Sequence, residues 1–235
     1  MSRTAALSAP ARRARRIVLA GLAIPGAAAA AFVLQRPLRH HGGGWHEWVG
    51  TISGVVLLTV AALPVAALTV WMLAHRRRAT GAAPAWAWRK SLAEVGIVYG
   101  TVPWIWMIML PGGGAGTAPR RVSPVPLRDL LTILAGSPAT ATVQIVGNLL
   151  VFAALGYLAP LRFAALASVP RVLALAAGCS VLVETAQYVL WLDRVSSVDD
   201  VLLNAAGAAL AALASRRSWH LWRVTAGAGD GTAAG

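Results

Sequence analysis

The chain is 235 residues long, 57% hydrophobic and only 12% charged, with a mean hydropathy of +0.65. An ordinary soluble domain carries about 25% charged residues, so this composition excludes one and points to an all-α, polytopic transmembrane helical bundle. The net charge of +13 does not indicate a nucleic-acid partner, because the basic residues sit in short clusters at the ends of apolar runs, where topology determinants belong.

In chain order, a basic start (Arg3, Arg12, Arg13, Arg15, Arg16) precedes a first apolar run at 17–34. Its basic flank and Ala-rich end also fit a cleaved signal peptide. A transmembrane helix is preferred because the run continues through Phe32, Val33 and Leu34 beyond the small-residue block. Residues 36–47 form a glycine-bearing loop whose His40, His41, His46 and Glu47 read as a solvated interfacial segment rather than a metal loop. A second run at 48–74 holds Pro64, which can kink a membrane helix without ending it, and His75 with Arg76 to Arg78 stops it. The linker that follows carries Trp86 and Trp88 beside Arg89 and Lys90, an anchor at headgroup level, and a third run occupies 91–110. Glu94 lies one turn inside that run, where it can pair with Lys90.

From 111 to 142 the composition turns to glycine and then to Pro-rich basic sequence, with Pro124 and Pro126 favouring extended backbone. A loop of this length without regular structure is expected to act, for example as a lid or re-entrant segment. Three runs follow, at 143–161, 171–192 and 201–214; the last is short and continues past Arg216 and Arg217 only by snorkelling toward Trp219 and Trp222. A Gly/Ala-rich tail from Thr225 is expected to be disordered. The organisation is thus a tail and two added helices at 1–90, a four-helix core at 91–215, and a basic then Gly/Ala-rich tail at 216–235.

Six spans leave both termini on one side. That side carries fifteen basic residues against six on the other, so the positive-inside rule makes both termini cytoplasmic and turns the 111–142 loop and the 193–200 hinge outward.

The feature that most needs explaining is the set of polar groups inside the last three runs. Gln144 and Asn148 share a helix face, as do Ser180, Glu184, Gln187, Tyr188 and Trp191, and then Asp200, Asn204, Gly207 and Ala211. With the outward orientation these stripes meet at one level, and Gly147, Gly156 and Gly207 would let the helices approach closely. A structural reading is available for each. Ser196 or Ser197 can cap the last helix, with Asp199 and Asp200 in its first turn. Asn148, Gln187 and Asn204 can join helices at about 0.6 to 2 kcal/mol apiece, and Arg194 can neutralise Glu184 or Asp200. Against this, one charge at membrane depth costs about 2.5 to 3.5 kcal/mol, so a site is preferred to a scaffold. Cys179 is the lone cysteine, and none of the histidines lies in an apolar run. No metal and no cofactor is therefore expected.

These residues resemble the VanZ-like family, named for teicoplanin-resistance proteins. The family's closing pattern is matched by Glu184, Gln187, Arg194, Asp200, Asn204 and Gly207, its Asn-Leu-Leu-x-Phe segment by Asn148 to Phe152, its glycine by Gly156, and its Pro-bearing loop is echoed by Val122 to Arg128. Departures are Ala154, where family members often have Pro, Ser197, where an Asp is common, and Ala211, where a second Gly is usual. The resemblance covers roughly 91–214 and implies an envelope role linked to lower susceptibility to teicoplanin.

The expected function is therefore a binding module in the cell membrane. It would present an outward polar pocket of Asn148, Glu184, Gln187, Arg194, Asp199, Asp200 and Asn204 to a lipid-linked cell-wall precursor or a glycopeptide. Arg194, with Arg121 and Arg128 above it, would suit a phosphate or carboxylate. Membrane lipids are the other expected partner, and no oligomeric state is indicated. The alternatives are an acid/base enzyme, with Glu184 as the catalytic group and Asp200 beside it, and a small-molecule transporter. Binding is preferred to catalysis because no nucleophilic Ser or Cys stands beside a His.

Overall fold

A computed structural model describes residues 51–230, with residues beyond Trp219 described by their backbone alone. The run at 17–34 and the histidine-bearing loop at 36–47 lie outside the described residues. Helix α1, Ile52–Ala79, carries Pro64 inside it and ends on Arg76, Arg77 and Arg78. Most of its large apolar side chains, Val56, Val60, Leu63, Val65, Leu68 and Met72 among them, are exposed. A face of that kind is suited to lipid or to another apolar helix rather than to water.

Two compact units divide the chain, residues 1–68 and 69–235. Of the first, the described part is the N-terminal portion of α1. The second holds all the remaining elements. Helix α2, Pro84–Ile108, starts at a proline in its first turn, whose missing N–H and fixed φ suit that position. It takes Trp86 and Trp88 into its opening turns instead of leaving them in a linker. Next come a strand β1, Arg121–Ser123, and a short helix α3, Arg128–Leu134. The 111–142 stretch is thus structured, contrary to the expectation of an irregular loop. Helix α4, Pro138–Val151, likewise opens on a proline after Ser137, five residues before the apolar run begins. Phe152 interrupts it, and α5, Ala153–Arg162, continues in the same sense. Helix α6, Val169–Val189, strand β2, Val195–Ser197, and helix α7, Val198–Asp230, complete the chain. The last run is thus part of the longest helix described, and helical backbone extends to Asp230, into the segment read as a disordered tail.

Among the described residues five spans are long and apolar enough to cross a membrane: Ile52–Ala79, Pro84–Ile108, Pro138–Arg162, Val169–Val189 and Val198–Trp219. In the second unit, α7 packs against α4, α5 and α6, and α5 also packs on α2. The core at these seams is built from Val151, Phe152, Val172, Ala176, Ala208 and Ala212. Without a hydrophobic drive between helices in lipid, close backbone approach supplies the packing energy. Two glycines permit it: a Cβ on Gly207 would lie 1.9 Å from the Leu149 carbonyl oxygen, and one on Gly156 2.1 Å from that of Ala208. Gly147, expected to do the same, faces open space.

The helices alternate in direction, so the ends collect into two polar layers. At one, the last turn of α1, the first turns of α2 and the end of α5 meet. There Glu94 accepts from Arg77 Nη2 and from Arg162 Nε, and Arg77 Nη1 donates to Ser91 Oγ at 2.6 Å. Glu94 is thereby tied to two arginines from distant parts of the chain rather than to Lys90, whose ammonium lies over the Trp86 ring at 4.5 Å.

Candidate functional site

The opposite layer is made by the 110–134 segment and the 190–200 hinge, which interlock. The hinge turns sharply, with Trp191 and Asp193 both at positive φ, 56° and 53°. Such backbone is costly for side-chain-bearing residues and holds only where the surroundings fix it. Here the bonds come from the other segment: Gly112 N–H donates to Leu192 O at 2.9 Å and Gly116 N–H to Trp191 O at 3.0 Å. Gly114 N–H donates to Asp193 Oδ2 at 2.9 Å and Trp191 Nε1 to Ala118 O at 2.6 Å. Arg120 lies over the Trp191 ring at 5.0 Å. Beyond the turn, β1 and β2 pair in parallel, with Arg121 opposite Val195 and Ser123 opposite Ser197.

Asp199 completes the lock. Its carboxylate, 3% exposed, accepts from the backbone N–H groups of Leu127, Asp129 and Leu130, the last two at 3.0 Å. These are the orphan donors of the α3 N-terminus, where Leu127 is itself left-handed at φ 67°. A carboxylate from another helix thus does the work of a cap that α3 lacks in its own sequence. Ser197 caps α7 in the ordinary way, its Oγ accepting from Asp199 N–H at 3.2 Å. The same hydroxyl donates to Asp129 Oδ2 at 2.6 Å.

Beneath this layer the helical stripes face one another. Asn148 Nδ2 on α4 donates to Asp200 Oδ1 on α7. One turn deeper, Asn204 Nδ2 donates to Ser180 Oγ at 2.8 Å, both residues being buried. Gln187 points to the other side of α6, where Nε2 donates to Ile108 O at 2.9 Å. Arg194 forms no ion pair with Glu184 or Asp200; its Nη2 and Nε donate to Leu110 O at 3.2 and 3.4 Å, closing the chain end after α2. Arg121 pairs with Asp193 at 3.3 Å on the surface, and Arg128 is exposed with no side-chain partner among the described residues.

Glu184 stands apart from these. It is 9% exposed, and its Oε2 accepts from Ser197 N–H at 3.1 Å while its backbone carbonyl accepts from Ser196 Oγ at 3.1 Å. Oε1 has no protein donor among the described residues. The carboxylate lines a cleft of about 290 Å³ whose other walls include Val122, Val181, Tyr188, Ser196, Ser197 and Val201. Of the nine residues singled out from the sequence for ligand binding, Glu184 alone lines this cleft. Asp200 lies close enough for its charge to act on Glu184, and Asp199 positions the layer above. Asp129 and Asp193, which hold that layer together, carry no sequence signal: each is one acidic residue in irregular sequence beside arginines. Among the described residues no group of His, Cys, Asp and Glu could hold a metal ion. The chemistry on offer is an acceptor at the floor of an otherwise apolar cleft, with hydroxyls at its rim.

Residues 97–221 match the family described as VanZ/LLP1. No curated protein and no solved structure matches the chain.

Proposed function

The chain belongs to the VanZ/LLP1 family, and on that premise we propose that it is a multi-pass cell-envelope protein that binds a lipid-linked or glycopeptide-like ligand in the Glu184 cleft. The observation that carries this reading is the buried Glu184 carboxylate, whose Oε1 is free to accept while valines and Tyr188 supply apolar wall. An amphiphile fits such a site, with hydroxyl or amine donors on Glu184 and hydrocarbon on Val122, Val181 and Val201. At about 290 Å³ the cleft is at the small end of ligand pockets, so it takes one sugar or amino-acid unit, or a short length of chain, rather than a whole glycopeptide. The cleft faces the exterior in this reading, where wall precursors and glycopeptides are met.

The test is binding to the purified protein, followed by tryptophan fluorescence, of teicoplanin and of a lipid-linked disaccharide-peptide precursor. Val201→Trp, which fills the cleft, should abolish saturable binding, and Glu184→Gln should weaken it about tenfold, the value of one hydrogen bond to a charged group. Unchanged affinity in both variants, or no saturable binding of either probe, refutes the reading.

One observation favours a second reading, acid/base catalysis on such a precursor. Glu184 and Asp200 bring two carboxylates to one level, and their environments differ: Asp200 accepts from an amide and Glu184 from a backbone N–H. Under that reading Glu184→Gln keeps binding and loses turnover.

A further inference from the structure

We propose that Arg77, Lys90 and Arg162, at the end of the bundle opposite the cleft, form a binding site for the phosphate of an anionic phospholipid headgroup. The argument begins with charge. Three cations meet one carboxylate, Glu94, whose two oxygens are taken by Arg77 Nη2 and Arg162 Nε. Lys90 is near enough to interact electrostatically with Arg162, Arg77 and Glu94, yet its contact is the face of Trp86 at 4.5 Å. Among the described residues the cluster therefore keeps two positive charges beyond what Glu94 neutralises.

Donors are left over as well. Of Arg162, only Nε bonds Glu94; its two terminal nitrogens carry four further N–H groups and have no acceptor among the described hydrogen bonds. The Arg77 and Arg162 side chains are 21% and 23% exposed, which is enough for a headgroup to touch and too little for water alone to solvate. Largely desolvated cations in excess of the one carboxylate that pairs with them are costly without a further anion.

Position supplies that anion. The cluster sits where one span ends, the next begins and α5 terminates on Arg162, flanked by Trp88 and Phe163, both exposed, with Arg162 over the Phe163 ring at 4.5 Å. Aromatic rings beside basic residues mark headgroup depth, and a basic pocket between helix ends at that depth is filled by lipid phosphate. A zwitterionic lipid brings its own cation and leaves the two positive charges standing. An anionic one cancels them.

Native mass spectrometry of the detergent-purified protein, titrated with phosphatidylglycerol or phosphatidylcholine, tests this. Phosphatidylglycerol should bind at least about fivefold more tightly, the value of one interfacial cation. Lys90→Gln, which leaves the Arg77–Glu94–Arg162 ties intact, and Arg162→Gln should each reduce that affinity about fivefold. Arg121→Gln, the same charge change at the other end, should leave it unchanged, and millimolar inorganic phosphate should not compete. Equal affinity for the two lipids overturns the proposal, as does wild-type affinity in Lys90→Gln, or a loss in Arg121→Gln as large as in the other two. Should Arg162→Gln fail to fold, Lys90→Gln decides alone.

Discussion

Gly207→Ala offers the sharpest test of how the helices hold the site. The added methyl would meet the Leu149 carbonyl oxygen at 1.9 Å, its carbon at 2.6 Å and Leu149 Cα at 2.7 Å. All three are backbone atoms, so no rotamer change relieves the clash. To bring the nearest contact out to 3.0 Å, α4 and α7 must separate by about 1.1 Å. Asn148 is the next residue along α4, and its bond to Asp200 at 2.5 Å would lengthen beyond hydrogen-bonding range by a shift of that size. Overpacking of this kind costs about 1 to 3 kcal/mol, and the lost bond about 1 more. At about 2 to 4 °C per kcal/mol for a chain of this size, the thermal midpoint in detergent should fall by roughly 5 to 15 °C. Gly147→Ala supplies the comparison, since nothing lies within 4 Å of its added carbon, and its midpoint should stay within about 1 °C of the parent. A Gly207→Ala protein as stable as the parent, or a Gly147→Ala protein equally damaged, refutes the packing argument.

Asp199→Asn should keep the fold and loosen the layer over the cleft: it removes a carboxylate oxygen from a set of three backbone donors. Amide exchange at residues 127–130 should accelerate at least tenfold, for a loss of about 1 to 3 kcal/mol; protection equal to wild type would count against the capping role. Glu94→Gln leaves Arg77 and Arg162 facing each other without a carboxylate and should cost about 1.5 to 3 kcal/mol of stability. Lys90→Gln should cost under about 0.5 kcal/mol, whereas a Lys90–Glu94 pair would make the two losses similar. Reporter fusions at residues 115 and 165 should lie on opposite faces of the membrane, 115 outside; a cytoplasmic signal at 115 removes the outward-facing cleft.

The spans were legible because apolar length and basic ends are local properties, and each of the five span-length helices described coincides with an apolar run or extends one. Their ends were less so, since Pro84 and Pro138 start helices in sequence too polar to count as span. The 111–142 segment could not be read locally at all, as its structure comes from bonds to residues around seventy to eighty positions later. Side-chain direction was the other gap. Ser180, Glu184 and Gln187 fall on one stripe by spacing and are all buried, yet Gln187 reaches α2 while Ser180 reaches α7. Glycine spacing likewise did not separate Gly207, pressed on Leu149, from Gly147, where an added Cβ would meet open space. Those distinctions belong to the packing of neighbours, which one helix's sequence does not contain.

The borrowed cap on α3 has a consequence for how the protein is made. Asp129 is synthesised 70 residues before Asp199, and at about 5 to 20 residues per second the ribosome needs several seconds to cover that gap. Throughout that interval the α3 N-terminus has no capping carboxylate and β1 has no strand to pair with, so the segment must wait beside the bilayer in an open, hydrated form. Insertion of α7 then delivers Asp199, Ser197 and β2 together. Closure of this layer therefore has to follow the arrival of α7, and a chain truncated before Val198 is expected to insert its earlier helices without the Asp199 cap that fixes α3.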